Sequence, residues 1–167
     1  WMVARYKRKA LETCEKLNEL GQLSYTLHAA GVHDAGQARW ASAQDNLGQA
    51  AAYAAKLKDM RQWEESVCHQ AHMEFYHGRF ALSKDLYAQA LQSAQKRGDN
   101  QIEMRCNAGI AGALLVANDI EGALSILQSP KGKSNGQLAL ALLRSGRHEE
   151  ALAKAMLLMD RFKGKRT

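Results

Sequence analysis

The chain has 167 residues, 46% of them apolar and 24% charged, with one proline, three cysteines and a formal charge of +6. Those proportions fit one compact domain or a short repeat array, and they exclude a collagen, a disulfide-stapled secreted module and a low-complexity tail. No apolar run approaches the roughly 18 residues that a spanning helix needs, so no membrane span is expected.

The amino terminus, Trp1-Met2 followed by Arg5-Tyr6-Lys7-Arg8-Lys9, lacks the apolar stretch of a signal peptide. A start at Trp1 is in keeping with a piece of a longer protein. Residues 1–16 carry five Lys/Arg against two Glu, and residues 154–167 carry five against one Asp. The body between them is close to neutral. We therefore divide the chain into a basic N-terminal flank (1–10), a helical array (11–160) and a basic C-terminal flank (161–167). Basic tails of this kind read as solvated ends, and nucleic acid is not an expected partner. Cys14, Cys68 and Cys106 are odd in number and far apart, with no Cys-x-x-Cys pair. That usage points to reduced thiols and a cytoplasmic location.

Ala, Leu, Gln, Glu, Lys and Arg fill the chain, and β-branched residues never cluster into a strand-like run. The expected class is all-α. Breaks are predicted at Gly31 to Gly36, Asp59 to Gln62, Gly78-Arg79, Gly98-Asp99-Asn100, Asn118-Asp119, Ser129 to Gly136 and Ser145-Gly146. The segments between them are long enough for helices, one of them a long second helix over 37–59. Their short connections force successive helices into antiparallel hairpins.

Three places share a phrase: Gly78-Arg79-Phe80-Ala81-Leu82-Ser83, Asn118-Asp119-Ile120-Glu121-Gly122-Ala123 and Gly146-Arg147-His148-Glu149-Glu150-Ala151. A fourth, weaker copy starts at Gly31. Small residues recur at fixed offsets from each turn: Ser24, Ala71, Ala111 and Ala139 before it, and Gly36, Ser83, Ala123, Ala151, Ala43 and Ala90 after it. Pro130 and Leu158 are the exceptions. Where helices cross closely only a small side chain fits, and Trp40, Tyr87 and Leu127 are expected to fill the gaps beside the crossings.

This small-residue lattice with its turn phrase resembles the tetratricopeptide repeat, over about residues 11–160. The copies are 47, 40 and 28 residues apart rather than the family's 34, its first-helix tryptophan is replaced by Leu20, Val67, Asn107 and Asn135, and its closing proline is missing. The resemblance implies a right-handed α-solenoid of about four helical hairpins. It also implies a concave face lined by the first helix of each hairpin, on which Tyr25, His28, Glu65, Cys68, His72, Phe75, Tyr76, Arg105 and Arg144 would meet a protein or peptide partner. Val116 and Leu143 fall on the same face, whereas Leu115 and Leu140 are expected in the core. The stretch from Arg61 to Phe80 and from Leu86 to Gln101 further resembles the helical repeat tail of large nucleotidyl-cyclase and ATPase regulatory proteins, which implies contact with catalytic domains of a longer chain.

Catalytic signals are weak. Gly132-Lys133-Ser134 is similar to the end of a phosphate-binding loop, but Leu127 stands where that motif needs glycine and no strand precedes it. Glu64-Glu65 and Glu149-Glu150 are adjacent, so each pair splits between helix faces. No serine sits in a Gly-x-Ser-x-Gly elbow. Cys68 and His72 stand one turn apart, and with His69 they suggest metal ligands, but no fourth ligand is evident and groove lining is the preferred reading. No metal, cofactor or enzymatic activity is expected. The resulting expectation is a non-catalytic interaction segment, with a cyclase or ATPase regulatory tail and a structural segment of a large assembly as alternatives.

Overall fold

The computed structural model describes residues 2–17, 19–132 and 135–163. Among them are nine α-helices and no strand: α1 (Met2–Leu17), α2 (Leu20–Gly36), α3 (Trp40–Lys56), α4 (Met60–Tyr76), α5 (Phe80–Arg97), α6 (Asn100–Val116), α7 (Ile120–Leu127), α8 (Asn135–Arg144) and α9 (His148–Lys163). No helix in the described residues is long and apolar enough to cross a membrane.

One turn design joins most of these helices. The residues with left-handed backbone are Ala38, Lys58, Gly78, Gly98, Asn118 and Gly146, with φ between 56° and 81°. The amide after each of them donates back to a carbonyl five residues earlier: Arg39 to Asp34, Asp59 to Ala54, Arg79 to Glu74, Asp99 to Ala94, Asp119 to Leu114 and Arg147 to Leu142. This is the six-to-one bond of a Schellman motif, which closes the open carbonyls of one helix and reverses the chain into the next. Aspartates then start several of the new helices. The side chains of Asp59, Asp99 and Asp119 accept from the amides of Gln62, of Gln101 and Ile102, and of Gly122.

From residue 38 to 118 the left-handed residues come every 20, so a hairpin of two helices repeats every 40. This corrects the expected register. Gly31 lies inside α2, buried, where a Cβ would stand 2.6 Å from the Leu47 side chain. It is a close-packing glycine, and the turn falls seven residues later at Ala38. The first copy of the phrase is therefore Ala38-Arg39-Trp40-Ala41-Ser42-Ala43, and its filling residue is Leu47, fully buried, instead of Trp40. The long helix expected over 37–59 is α3, Trp40–Lys56. The break predicted at Ser129 to Gly136 is described as far as Gly132, and Lys133 and Ser134 lie outside the described residues.

Alanine has the smallest side chain with a Cβ, yet in the left-handed region it still costs roughly 1–2 kcal/mol relative to a helical conformation. Glycine escapes that strain but loses about 0.4–1 kcal/mol through its freer unfolded chain. Ala38→Gly is therefore expected to stabilise the protein by about 0.5–1 kcal/mol, read as a higher urea midpoint with an unchanged slope.

Each helix packs against the next, and in addition α2 touches α4, α4 touches α6 and α6 touches α8. No such contact joins α3, α5, α7 and α9 to one another among the described residues. The first helices of successive pairs thus form one layer and the second helices a more separated one. Their interfaces follow the small-residue lattice. Ala43, Ala50, Ala54, Ala71, Ala90, Ala94, Ala111 and Ala123 are all fully buried, with Leu47, Tyr87, Ile102, Leu127 and Leu142 between them. Leu115 is core, as expected, but Leu140 is exposed, as are Val116 and Leu143. The buried side of α8 is carried by Leu138, Ala141 and Leu142, and Leu140 lies on the opposite side of that helix.

Candidate functional site

The layer of first helices carries an open cavity of about 460 Å³ between α4, α5, α6 and α8. Cys68, His69, His72 and Phe75 reach it from successive turns of α4, Tyr87 from α5, Arg105, Ala108, Gly109 and Gly112 from α6, and Gln137 from α8. The helical period explains this grouping, because positions 68, 72 and 75 on α4 and 105, 109 and 112 on α6 each form one stripe. Glycines keep the floor open. A Cβ at Gly109 would come within 2.3 Å of the Tyr87 ring, and one at Gly112 within 3.0 Å of the Gln137 amide nitrogen.

Four of the residues expected on this face share the cavity: Cys68, His72, Phe75 and Arg105. Phe75 is half-buried, its ring 5.2 Å from that of Phe80, edge to face. It holds the start of α5 as well as lining the cavity. Tyr76 is 67% exposed and stands beside His72, ring centroids 4.9 Å apart. Cys68 is buried with its sulfur 3.5 Å from that of Cys106. The contact with Cys106, followed by burial, pushes the Cys68 thiol well above its ordinary pKa, so it is no thiolate nucleophile at neutral pH.

Glu65 leaves the cavity wall to receive Arg105, whose Nη1 donates to Oε2 at 2.5 Å. Toward α2, His28 and His69 meet edge to face with ring centroids 4.8 Å apart. Burial, and after it the neighbouring His69, push His28 down to about 4, which leaves it neutral at neutral pH. The remaining two expected residues do not join the group. Tyr25 donates its hydroxyl proton to Asp59 at the α3–α4 turn, at 3.1 Å. Arg144 turns to the end of α6, where it donates to the Leu115 carbonyl at 2.6 Å and to Asn118 Oδ1 at 2.8 Å. It closes that helix's free carbonyls, a pairing no linear pattern announces.

His69, Gly109, Gly112 and Gln137 were not among the residues expected here. The two glycines did carry a signal, since glycine inside a helical pattern marks close backbone approach. Gln137 carried none. Its Oε1 is buried and accepts no hydrogen bond.

A ladder of alternating charge borders the site. Arg97 donates twice to the buried Glu64 and once to Asp99, Asp99 also receives Arg61, and Arg61 faces Glu65 at 3.7 Å. Burial opposes ionisation of Asp99, but the Ile102 amide and the Arg97 and Arg61 guanidiniums hold its carboxyl below the usual range. No family model matches the chain, and no curated protein matches it.

Proposed function

We propose that the chain is a tetratricopeptide-like right-handed α-solenoid that binds an extended peptide segment of a partner protein along its layer of first helices, without chemistry of its own. The observation that carries this reading is the open cavity itself: mixed apolar and polar, built by four helices from three successive pairs, on the face where the resemblance puts a partner. Its apolar wall of Phe75 and Tyr87 suits an aliphatic or aromatic side chain. Arg105 and Gln137 supply the polar part of the lining, which suits the backbone polar groups of an extended strand. Stacked hairpins hold the walls rigid, which keeps the entropy lost on binding small.

Display of random linear peptides against the full chain, with fluorescence anisotropy of the selected sequences, tests this. Tyr76→Ala and His72→Ala, both exposed, are expected to weaken the selected peptides about tenfold while leaving the circular dichroism spectrum and melting temperature unchanged. Phe75→Ala is less suited, since that ring also supports α5. Selection that enriches nothing, or variants that bind as the wild type does, would overturn the reading.

A further inference from the structure

We propose that His28, Glu65 and His69 form a binding site for a divalent transition-metal ion, zinc first among them, that ties α2 to α4. Among the described residues this is the one group of three His, Cys, Asp or Glu side chains whose ligand atoms converge, all within 4.8 Å of one another. Glu65 and His69 stand one turn apart on α4, and His28 reaches them from α2. All three are half-buried.

The hydrogen bonds around the two histidines select the form that a metal requires. His69 Nδ1 lies 2.9 Å from the Glu65 carbonyl, which can only accept, so Nδ1 carries the proton and Nε2 keeps its lone pair. Ser66 spends its single hydroxyl proton on the Gln62 carbonyl at 2.9 Å. Its oxygen must therefore accept from His28 Nδ1, 3.0 Å away, and the Nε2 lone pair of His28 is free as well. An imidazole fixed through Nδ1–H to an oxygen, with Nε2 left as donor, is the arrangement in which histidines ligate metals.

Glu65 is fixed in the same manner. Arg105 holds Oε2 at 2.5 Å, whereas Oε1 has only Arg61 at 3.7 Å, beyond a hydrogen bond, so one carboxylate oxygen remains available. Two imidazole nitrogens and one carboxylate oxygen suit zinc, cobalt or nickel, while magnesium and calcium prefer oxygen ligands throughout. Tetrahedral bonds of about 2.0–2.1 Å put ligand atoms about 3.4 Å apart, so no pair of ligand atoms would have to close by more than about 1.4 Å. The fourth position is left to water. The nearby sulfurs are not part of this set, because Cys68 and Cys106 face each other in the core.

His69 also lines the cavity, so the site is tested in the absence of any peptide, with zinc chloride alone as the probe. Titrated calorimetrically into the metal-stripped full chain, zinc is expected to bind one to one and to raise the melting temperature, whereas magnesium does neither. His28→Gln and His69→Gln should each weaken zinc at least about tenfold with little change in the metal-free melting temperature. A chain with Cys14, Cys68 and Cys106 all changed to Ser should keep the zinc response. Cobalt(II) adds a readout that needs no variant: the wild-type complex should show visible d–d absorption without the intense thiolate charge-transfer bands of sulfur ligation. Absence of zinc binding, zinc affinity undiminished in both histidine variants, or a cobalt spectrum dominated by thiolate would each overturn the site.

Discussion

Ala90→Leu is expected to lower the unfolding free energy by about 3 kcal/mol, whereas Ala88→Leu, on the exposed side of the same helix, should change it by less than about 0.5 kcal/mol. Ala90 is fully buried in a cluster with Val67, Cys68, Ala71, Tyr87, Ala94, Ile102 and Cys106. Those residues belong to α4, α5 and α6, so the added isopropyl group has no direction in which to expand without parting two helices. Leucine is the better helix former of the usual large residues, and intrinsic propensity therefore offsets nothing of consequence here. Urea unfolding of both variants, with the slope compared, decides the matter. Equal stability of Ala90→Leu and wild type would mean that the helices are not held together by contacts only small side chains permit.

The same lattice shows how far the fold could be read from the residues. The helical class, the pairing of neighbours and the turns at Gly78, Gly98, Asn118 and Gly146 were legible because glycine, asparagine and the small-residue offsets announce them. The left-handed residues Ala38 and Lys58 were not, since neither type favours that backbone and the six-to-one bonds with the packing of the flanking helices impose it; the break expected at Asp59 to Gln62 meets the second turn only at Asp59, and Met60 to Gln62 open α4. Gly31 misled for the opposite reason, being a glycine chosen for contact with Leu47 and not for a turn. One observation in the sequence would have restored the register: Ala38-Arg39-Trp40 repeats Gly78-Arg79-Phe80 at a distance of 40 residues.

At the site, the stripe of Cys68, His72 and Phe75 with Arg105 opposite was legible from helical spacing and the family resemblance. The diversion of Tyr25 to Asp59 and of Arg144 to the end of α6 was not, because each depends on a partner 26 or more residues away. Likewise the meeting of His28 with His69 needs the contact between α2 and α4, which a hairpin-by-hairpin reading does not contain.

Long-range pairing also sets the second large effect, which concerns Glu64. This carboxylate is completely buried on α4, and Arg97, in the last turn of α5, donates Nη2 to Oε2 at 2.6 Å and Nε to Oε1 at 3.1 Å. Removing one partner of a buried pair costs about 3–5 kcal/mol because the other charge remains without compensation. Here the Arg97 side chain is 34% exposed and water shares its charge, which lowers the expected loss for Arg97→Ala to about 2–3 kcal/mol. Arg97 also bridges to Asp99, the cap of α6, so the variant loosens the α5–α6 turn as well. The pair as a whole adds far less than either half suggests, since desolvating two charges offsets most of their attraction. Consequently the double variant Glu64→Leu with Arg97→Met should recover most of the stability lost in Arg97→Ala. Chemical unfolding of the three chains tests both statements: a double variant no more stable than Arg97→Ala would mean that the loss lies in the Asp99 bridge and the buried methylenes of Arg97, not in the stranded carboxylate.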